Sequence, residues 1–202
     1  MTLQRRTLLT GGVSAMGLGL SGCAAIGLGG WTTLVDGSSM TMADFANWGK
    51  LGEGNWSMAD GTLQGKDGKV GYLVSPQTYT DFEIRAEFWA DANCNSGIFI
   101  RCQDPKKVGA DNSYEVNIFD KRPDPSYGTA AIVDFAKAPM PYPQAANKWN
   151  TFEITAKGEQ LVVVFNGQKT VDIKNGKFRS GPVALQSAGG TIRFRKVQIR
   201  SI

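Results

Sequence analysis

The sequence predicts an all-β fold, an antiparallel β-sandwich or jelly roll with one long irregular loop, and three observations predict it. Among 202 residues, 42% are hydrophobic and 25 are glycine, with Val, Ile, Phe and Trp prominent, a composition suited to strands and turns. Short apolar or alternating stretches recur at intervals of roughly eight to twelve residues, separated by turn formers. No helical period of useful length runs through the chain, and no internal repeat is visible. The length suits one domain with a sizeable core.

Taken in order, residues 1–30 stand apart from the rest. Arg5-Arg6-Thr7-Leu8-Leu9 opens an uncharged apolar stretch ending at Leu20, too short to span a bilayer, as expected of an export signal. The paired arginines fit a twin-arginine leader. Leu20-Ser21-Gly22-Cys23 matches a lipobox, so residues 1–22 are expected to be removed and Cys23 to carry the lipid. Residues 23–30 then form a lipidated tether and 31–202 the β-sandwich domain. The expected location is the cell envelope, as a periplasm-facing lipoprotein with a membrane anchor. Ala24 provides no acidic retention signal, which favours the outer membrane.

Within the domain, residues 62–63 and 72–75 read as a short first pair. Residues 82–89 alternate strictly, with Phe82, Ile84, Ala86 and Phe88 on one face and Glu83, Arg85, Glu87 and Trp89 on the other. Turn formers at 91–96 lead to residues 97–101 as the hairpin partner. Residues 114–119 form the next strand. The Pro-, Asp- and Gly-rich stretch 120–147 follows, broken by apolar residues 130–133, and a loop of that length marks function or disorder. Residues 149–156 are a strand, and 161–165 meets 168–173 across Asn166-Gly167, the strongest hairpin signal in the chain. Residues 182–186 and 191–199 complete the set. Ile192 and Phe194 differ in parity from Val197 and Ile199, so a bulge near Arg195-Lys196 is required to keep all four inside.

Composition also excludes chemistry. With no histidine, the chain cannot build a Ser-His-Asp triad, a Cys-His pair or a His-ligated zinc site. The formal charge of +4 shrinks when Arg5 and Arg6 leave with the leader, and it gives no nucleic-acid footprint. Cys94 and Cys102 are separated by a strand of roughly 25 Å at about 3.3 Å per residue, so they are expected to be unpaired apolar fillers.

Several short motifs occur in one order: Asp60-Gly61-Thr62-Leu63, Tyr79-Thr80-Asp81-Phe82-Glu83, Asn95-Ser96-Gly97-Ile98-Phe99-Ile100-Arg101, Tyr114-Glu115-Val116-Asn117-Ile118, Lys148-Trp149-Asn150-Thr151, Phe165-Asn166-Gly167, Gly181-Pro182-Val183-Ala184-Leu185-Gln186 and Phe194-Arg195. Together they resemble the 3-keto-disaccharide hydrolase family over nearly all of residues 31–202. The resemblance implies a concanavalin-like sandwich of the lectin and glucanase kind. The chain departs from the family where Asn117 replaces a frequent glutamine and where Ser187-Ala188 replaces a frequent histidine.

Strand parity supplies candidate site residues. Glu115 and Asn117 share a face opposite Tyr114, Val116 and Ile118, and Phe99 and Arg101 oppose Ile98 and Ile100. On a bent lectin-type sheet, Arg101, Glu115, Asn117 and Gln186 line one concave face, with Asn95 beside them and Phe99, Trp89 or Trp149 as stacking platforms. Such a surface suits a sugar, which offers hydroxyls to polar groups and apolar faces to rings. The plainer alternative makes Arg101 and Glu115 a cross-strand ion pair on a solvated face. Asp134 reads as a turn former or a site acid, and Asp120 faces the long loop from a strand end.

The resemblance implies cleavage of a 3-keto-glycoside. Its ketone acidifies the C2 proton; a carboxylate removes that proton, the enolate expels the C1 substituent, and water adds to the enone for net hydrolysis. Glu115 or Asp120 is the expected base, Arg101 the enolate stabiliser, and Asn117 and Gln186 the hydroxyl ligands. A two-carboxylate glycosidase needs acids about 5 to 5.5 Å apart, and this face offers few. No cofactor is predicted, though a divalent cation on Glu115 and Asp120 is compatible with the residues if loop carbonyls join. The alternatives are a non-catalytic carbohydrate-binding envelope lipoprotein and a structural lipoprotein whose concave face meets another protein.

Overall fold

The computed structural model describes residues 30–66 and 69–202, so the leader, Cys23 and the tether up to residue 29 lie outside the described residues. Among the described residues, thirteen strands form two antiparallel sheets: β1 (Thr32–Asp36), β2 (Gly49–Gly52), β3 (Asn55–Ala59), β4 (Thr62–Lys66), β5 (Gly71–Val74), β6 (Phe82–Ala90), β7 (Ser96–Ile100), β8 (Tyr114–Ile118), β9 (Trp149–Lys157), β10 (Gln160–Phe165), β11 (Gln168–Lys174), β12 (Ala184–Ser187) and β13 (Ile192–Ser201). The larger sheet runs β11-β10-β9-β6-β13-β4-β3, with β1 also on β13, and the smaller runs β2-β5-β12-β7-β8.

The predicted alternation sets the core. Phe82, Ile84, Ala86 and Phe88 of β6 are buried with Phe152, Ile154 and Ala156 of β9, facing Leu73, Ile98, Ile100, Tyr114, Val116, Ile118 and Leu185 of the smaller sheet. Each of the Phe, Ile, Leu and Val side chains contributes on the order of 1.5–3 kcal/mol by leaving water. The register of β13 on β6 shifts between Phe194 and Lys196, and Ile192, Phe194, Val197 and Ile199 are all buried, as the parity of the sequence requires. The same strand gives its other edge to β4 at residues 192–194 and then to β1 at 196–199. Asn166 and Gly167 both have positive φ, 48° and 81°, the geometry a two-residue hairpin demands. Cys94 and Cys102 are free and buried.

Two predicted pairings are corrected. The strand at 97–100 is not the hairpin partner of β6, because the turn between them crosses from one sheet to the other: β6 pairs with β9 and β13, and β7 with β8 and β12. Both faces of Gly-Ile-Phe-Ile are buried, as befits a strand with a neighbour on each side, β8 and β12. Nor do residues 62–63 and 72–75 pair. β4 instead forms a hairpin with β3 across Asp60-Gly61, whose φ values are 51° and 66°, and β5 lies between β2 and β12. The long loop is irregular as predicted, apart from a 3₁₀ turn at Pro125–Tyr127. Its apolar piece lies along the edge of β8, where Ala130 N–H donates to the Asn117 carbonyl, Asn117 N–H to Ala131 and Val133 N–H to Glu115.

Candidate functional site

On β8 the odd residues face away from the core because Tyr114, Val116 and Ile118 fill it. Glu115 and Asn117 therefore stand on the outer face of the smaller sheet. Strand register assembles their neighbours: Gly97 lies opposite Asn117, Tyr72 opposite Gln186 and Leu51 opposite Tyr72. Because Ala184 pairs with Phe99 and Leu185 with Ile98, Gln186 falls next to Gly97. One row thus crosses the sheet as Leu51, Tyr72, Gln186, Gly97 and Asn117, with Glu115 beside it.

Glu115 is only 8% exposed, and among the described residues no side chain donates a hydrogen bond to its carboxylate. Burial pushes its pKa up to about 7; the Arg122 charge pulls it down, and the Asp134 charge pushes it further up. A carboxyl balanced near neutrality can exchange a proton in either direction, as a general base must.

The two amides beside it are incompletely satisfied. Asn117, 0% exposed, donates from Nδ2 to the Tyr127 carbonyl at 2.8 Å, and its buried Oδ1 has no partner among the described residues. Gln186, 7% exposed, donates from Nε2 to the Tyr72 hydroxyl oxygen at 3.2 Å, and its Oε1 is likewise unpartnered. With its oxygen accepting from Gln186, Tyr72 keeps its own O–H free to donate. Burial raises the Tyr72 pKa, which keeps that proton on the phenol. Sequence reasoning missed Tyr72; its position opposite Gln186 across two distant strands left no local signal.

Several predicted site residues belong elsewhere. Arg101 leaves the strand at φ 55°, which breaks the alternation, and its side chain is 0% exposed. Its Nε and Nη2 donate to the Thr80 carbonyl at 3.0 and 2.6 Å, Nη1 to Gly158 and Phe178 at 2.8 and 3.2 Å, and Nη2 to Asp81 at 3.2 Å. It is a buried tie between loops, neither an enolate stabiliser nor an ion-pair partner of Glu115. Asp120 is a clamp rather than a base. Its two oxygens accept from the Thr129 hydroxyl and from the backbone N–H groups of Ala145 and Ala146, at 2.5 to 3.0 Å.

Phe99 shares the face of Glu115 but is buried against Val74, Cys102 and Ala184, with its ring edge-on to Tyr72 at 5.4 Å, so it offers no stacking surface. Trp149 and Trp89 are register partners on the outer face of the larger sheet, on the far side of the sandwich. Trp149, 42% exposed, lies under the Arg195 guanidinium at 4.4 Å, and Trp89 under Arg193 at 4.9 Å. Asn95 is half-buried just before β7, where its backbone pairs with Ala188 and Gly189. A cavity of about 400 Å³ is lined by Gly49, Val74, Ser75, Thr78, Cys102 and Pro182, and none of Glu115, Asn117, Gln186 and Tyr72 lines it.

As a metal centre the face is poor. Among the described residues no group of three or more Cys, Asp or Glu converges, and Asp120, named with Glu115 as a cation ligand, is spent on the loop. The oxygens at hand are the Glu115 carboxylate, two neutral amides and the Tyr72 hydroxyl.

The model of a family described as the 3-keto-alpha-glucoside-1,2-lyase-like domain matches residues 30–200. No curated protein matches the chain. Among solved structures, a glycosyl hydrolase candidate from Parabacteroides distasonis aligns with a TM-score of 0.67 at 22% identity, covering 86% of this chain and 100% of its own. A protein of unknown function with a galectin-like fold from Bacillus subtilis gives 0.62 at 13%, covering 84% and 96%. The carbohydrate-binding module CBM66 from the same organism gives 0.57 at 17%, covering 77% and 96%. At these identities the structural matches establish a shared fold.

Proposed function

The chain belongs to the 3-keto-alpha-glucoside-1,2-lyase-like domain family, and from that premise we propose that it cleaves 3-keto-glycosides by proton abstraction at C2 and elimination of the C1 substituent. The observation that carries the reading is Glu115: a buried carboxyl with a pKa near 7, without a hydrogen-bond donor, beside amide oxygens that lack partners. Glu115 takes the C2 proton. The electron pair moves onto the ketone oxygen, where the Tyr72 O–H donates and the nearby Arg122 charge offsets the developing anion. Collapse of the enolate breaks the C1–O bond, and the proton now on Glu115 passes to the leaving oxygen. Water added across the enone completes a net hydrolysis.

Incubation with a 3-keto-glucoside tests this. Released aglycone is expected from the wild type and at least about a hundredfold less from Glu115→Gln, the usual scale for losing a general base. Absence of wild-type turnover removes the enzyme reading.

The second reading is a non-catalytic carbohydrate-binding protein of the envelope. The unpartnered Asn117 and Gln186 oxygens favour it, since they serve binding whether or not Glu115 reacts. Glycan binding that persists without turnover selects it. In both readings the leader and Cys23 support a lipid-anchored, periplasm-facing protein. Retention in the membrane fraction, lost on Cys23→Ala, is the expected result.

A further inference from the structure

Glycine inside a strand weakens it, and it often marks a place where something approaches the backbone closely. Gly97 is such a residue, fully buried in β7 and one strand in from the β8 end of the row described above. A Cβ there would stand 3.2 Å from Glu115 Cγ, 3.3 Å from Glu115 Oε1 and 3.2 Å from the Val116 carbonyl oxygen. The absent side chain is therefore what lets the Glu115 carboxyl lie across β7.

Asn117 Oδ1 and Gln186 Oε1 flank this floor, one on each neighbouring strand, both buried and without partners. A buried acceptor left unpaired costs about 1–3 kcal/mol. Asn117 cannot relieve the cost by turning its amide, because Nδ2 is held by the Tyr127 carbonyl at 2.8 Å. The unsatisfied oxygens on both sides of the glycine, and the carboxylate above it, all accept. The group that completes them must bring donors.

We propose that Gly97 is the floor of a slot that reads two hydroxyl donors on one edge of the bound sugar, one on Asn117 Oδ1 and one on Gln186 Oε1, with Glu115 seated between them. This rests on the reading of the face as a sugar site and narrows its substrate to sugars with free hydroxyls on both carbons flanking the C3 ketone. Deoxy and O-alkylated rings at those carbons are rejected, because they leave an acceptor buried and unpaired. A divalent cation is the competing occupant. Calcium takes six to eight oxygens, usually with several carboxylates, whereas this slot offers one carboxylate and two neutral amides, so hydroxyls fit it better.

The test is equilibrium binding to the full chain, by calorimetry, of a non-reacting methyl glucoside and its 2-deoxy and 4-deoxy analogues, with and without EDTA. Each deoxy ligand is expected to bind roughly ten- to a hundredfold more weakly than the parent, with EDTA making no difference. Gly97→Ala is expected to weaken the parent glucoside by a similar factor. It also moves the Glu115 titration, followed by NMR, from about 7 towards the ordinary carboxyl range as the side chain is pushed into water. A structural role alone would lower the melting temperature without moving that titration. Equal affinity for all three ligands, no measurable binding of the parent, or binding that requires calcium overturns the proposal. Because the ligands do not react, discrimination without turnover of a keto sugar keeps the slot and removes the enzyme, and turnover without discrimination does the reverse.

Discussion

Replacing Glu115 by glutamine should stabilise the protein, and only above the acid range. The folded carboxyl holds its proton up to about pH 7, whereas an ordinary carboxyl, with a reference value of 4.5, releases it earlier. Between those values the unfolded chain binds fewer protons than the folded one, so stability falls as pH rises. The difference of about 2.5 pKa units corresponds to a cost of about 3 kcal/mol, absent below pH 4.5 and complete above pH 7. Glutamine has the same shape and no charge to desolvate. Glu115→Gln should therefore match the wild type at pH 4, gain progressively between 4.5 and 7, and level off near 3 kcal/mol more stable at pH 8. Urea unfolding followed by tryptophan fluorescence at pH 4, 6 and 8 measures it, with unchanged slopes confirming comparable end states. A difference independent of pH, or a variant less stable at pH 8, would refute a carboxyl buried without compensation. A base with this pKa also requires wild-type turnover to rise with pH through about 7.

Arg101→Met should lose about 1–3 kcal/mol, because it strands the buried Phe178 carbonyl and removes the donors to the Thr80 and Gly158 carbonyls and to Asp81, while turnover per folded molecule stays unchanged; a melting curve with active-site titration separates the two effects. Asp120→Ala frees the backbone N–H groups of Ala145 and Ala146, so the 120–147 loop should be cut faster by protease while β-sheet circular dichroism is retained. Trp149→Ala should leave turnover and glucoside affinity as in the wild type, since its ring lies on the opposite side of the sandwich; a tenfold loss in either would place sugar on the wrong sheet. Cys94 and Cys102 should resist alkylation until the chain unfolds, because burial pushes both thiols up, Cys102 to about 12.

Much of this site was legible before the chain was folded. The alternation of β8 placed Glu115 and Asn117 together on the face opposite the core, and the Leu185-Gln186 pair placed Gln186 outward in the same way. The hairpin at Asn166-Gly167 and the bulge before Lys196 were legible for the same reason, since both are dictated by residues within a few positions of each other. Arg101 was misread because parity holds only while the backbone stays extended, and a residue at φ 55° no longer obeys it. Trp149 was misread differently. Its ring is exposed, but on the outside of the other sheet.

What the sequence by itself determined, then, is the set of strands, the side of each strand that enters the core, and the absence of histidine-based chemistry. Tertiary structure alone decided which strands share a sheet, and with that the company of Glu115: Tyr72 and Gln186 from strands far away in the chain, Gly97 beneath it, and neither Arg101 nor Trp149. The physical reason is one of range. Pleat direction is fixed by successive residues of one strand, whereas sheet membership is fixed by which distant strands bury one another's faces and pair one another's backbone groups, and no window of sequence contains both partners.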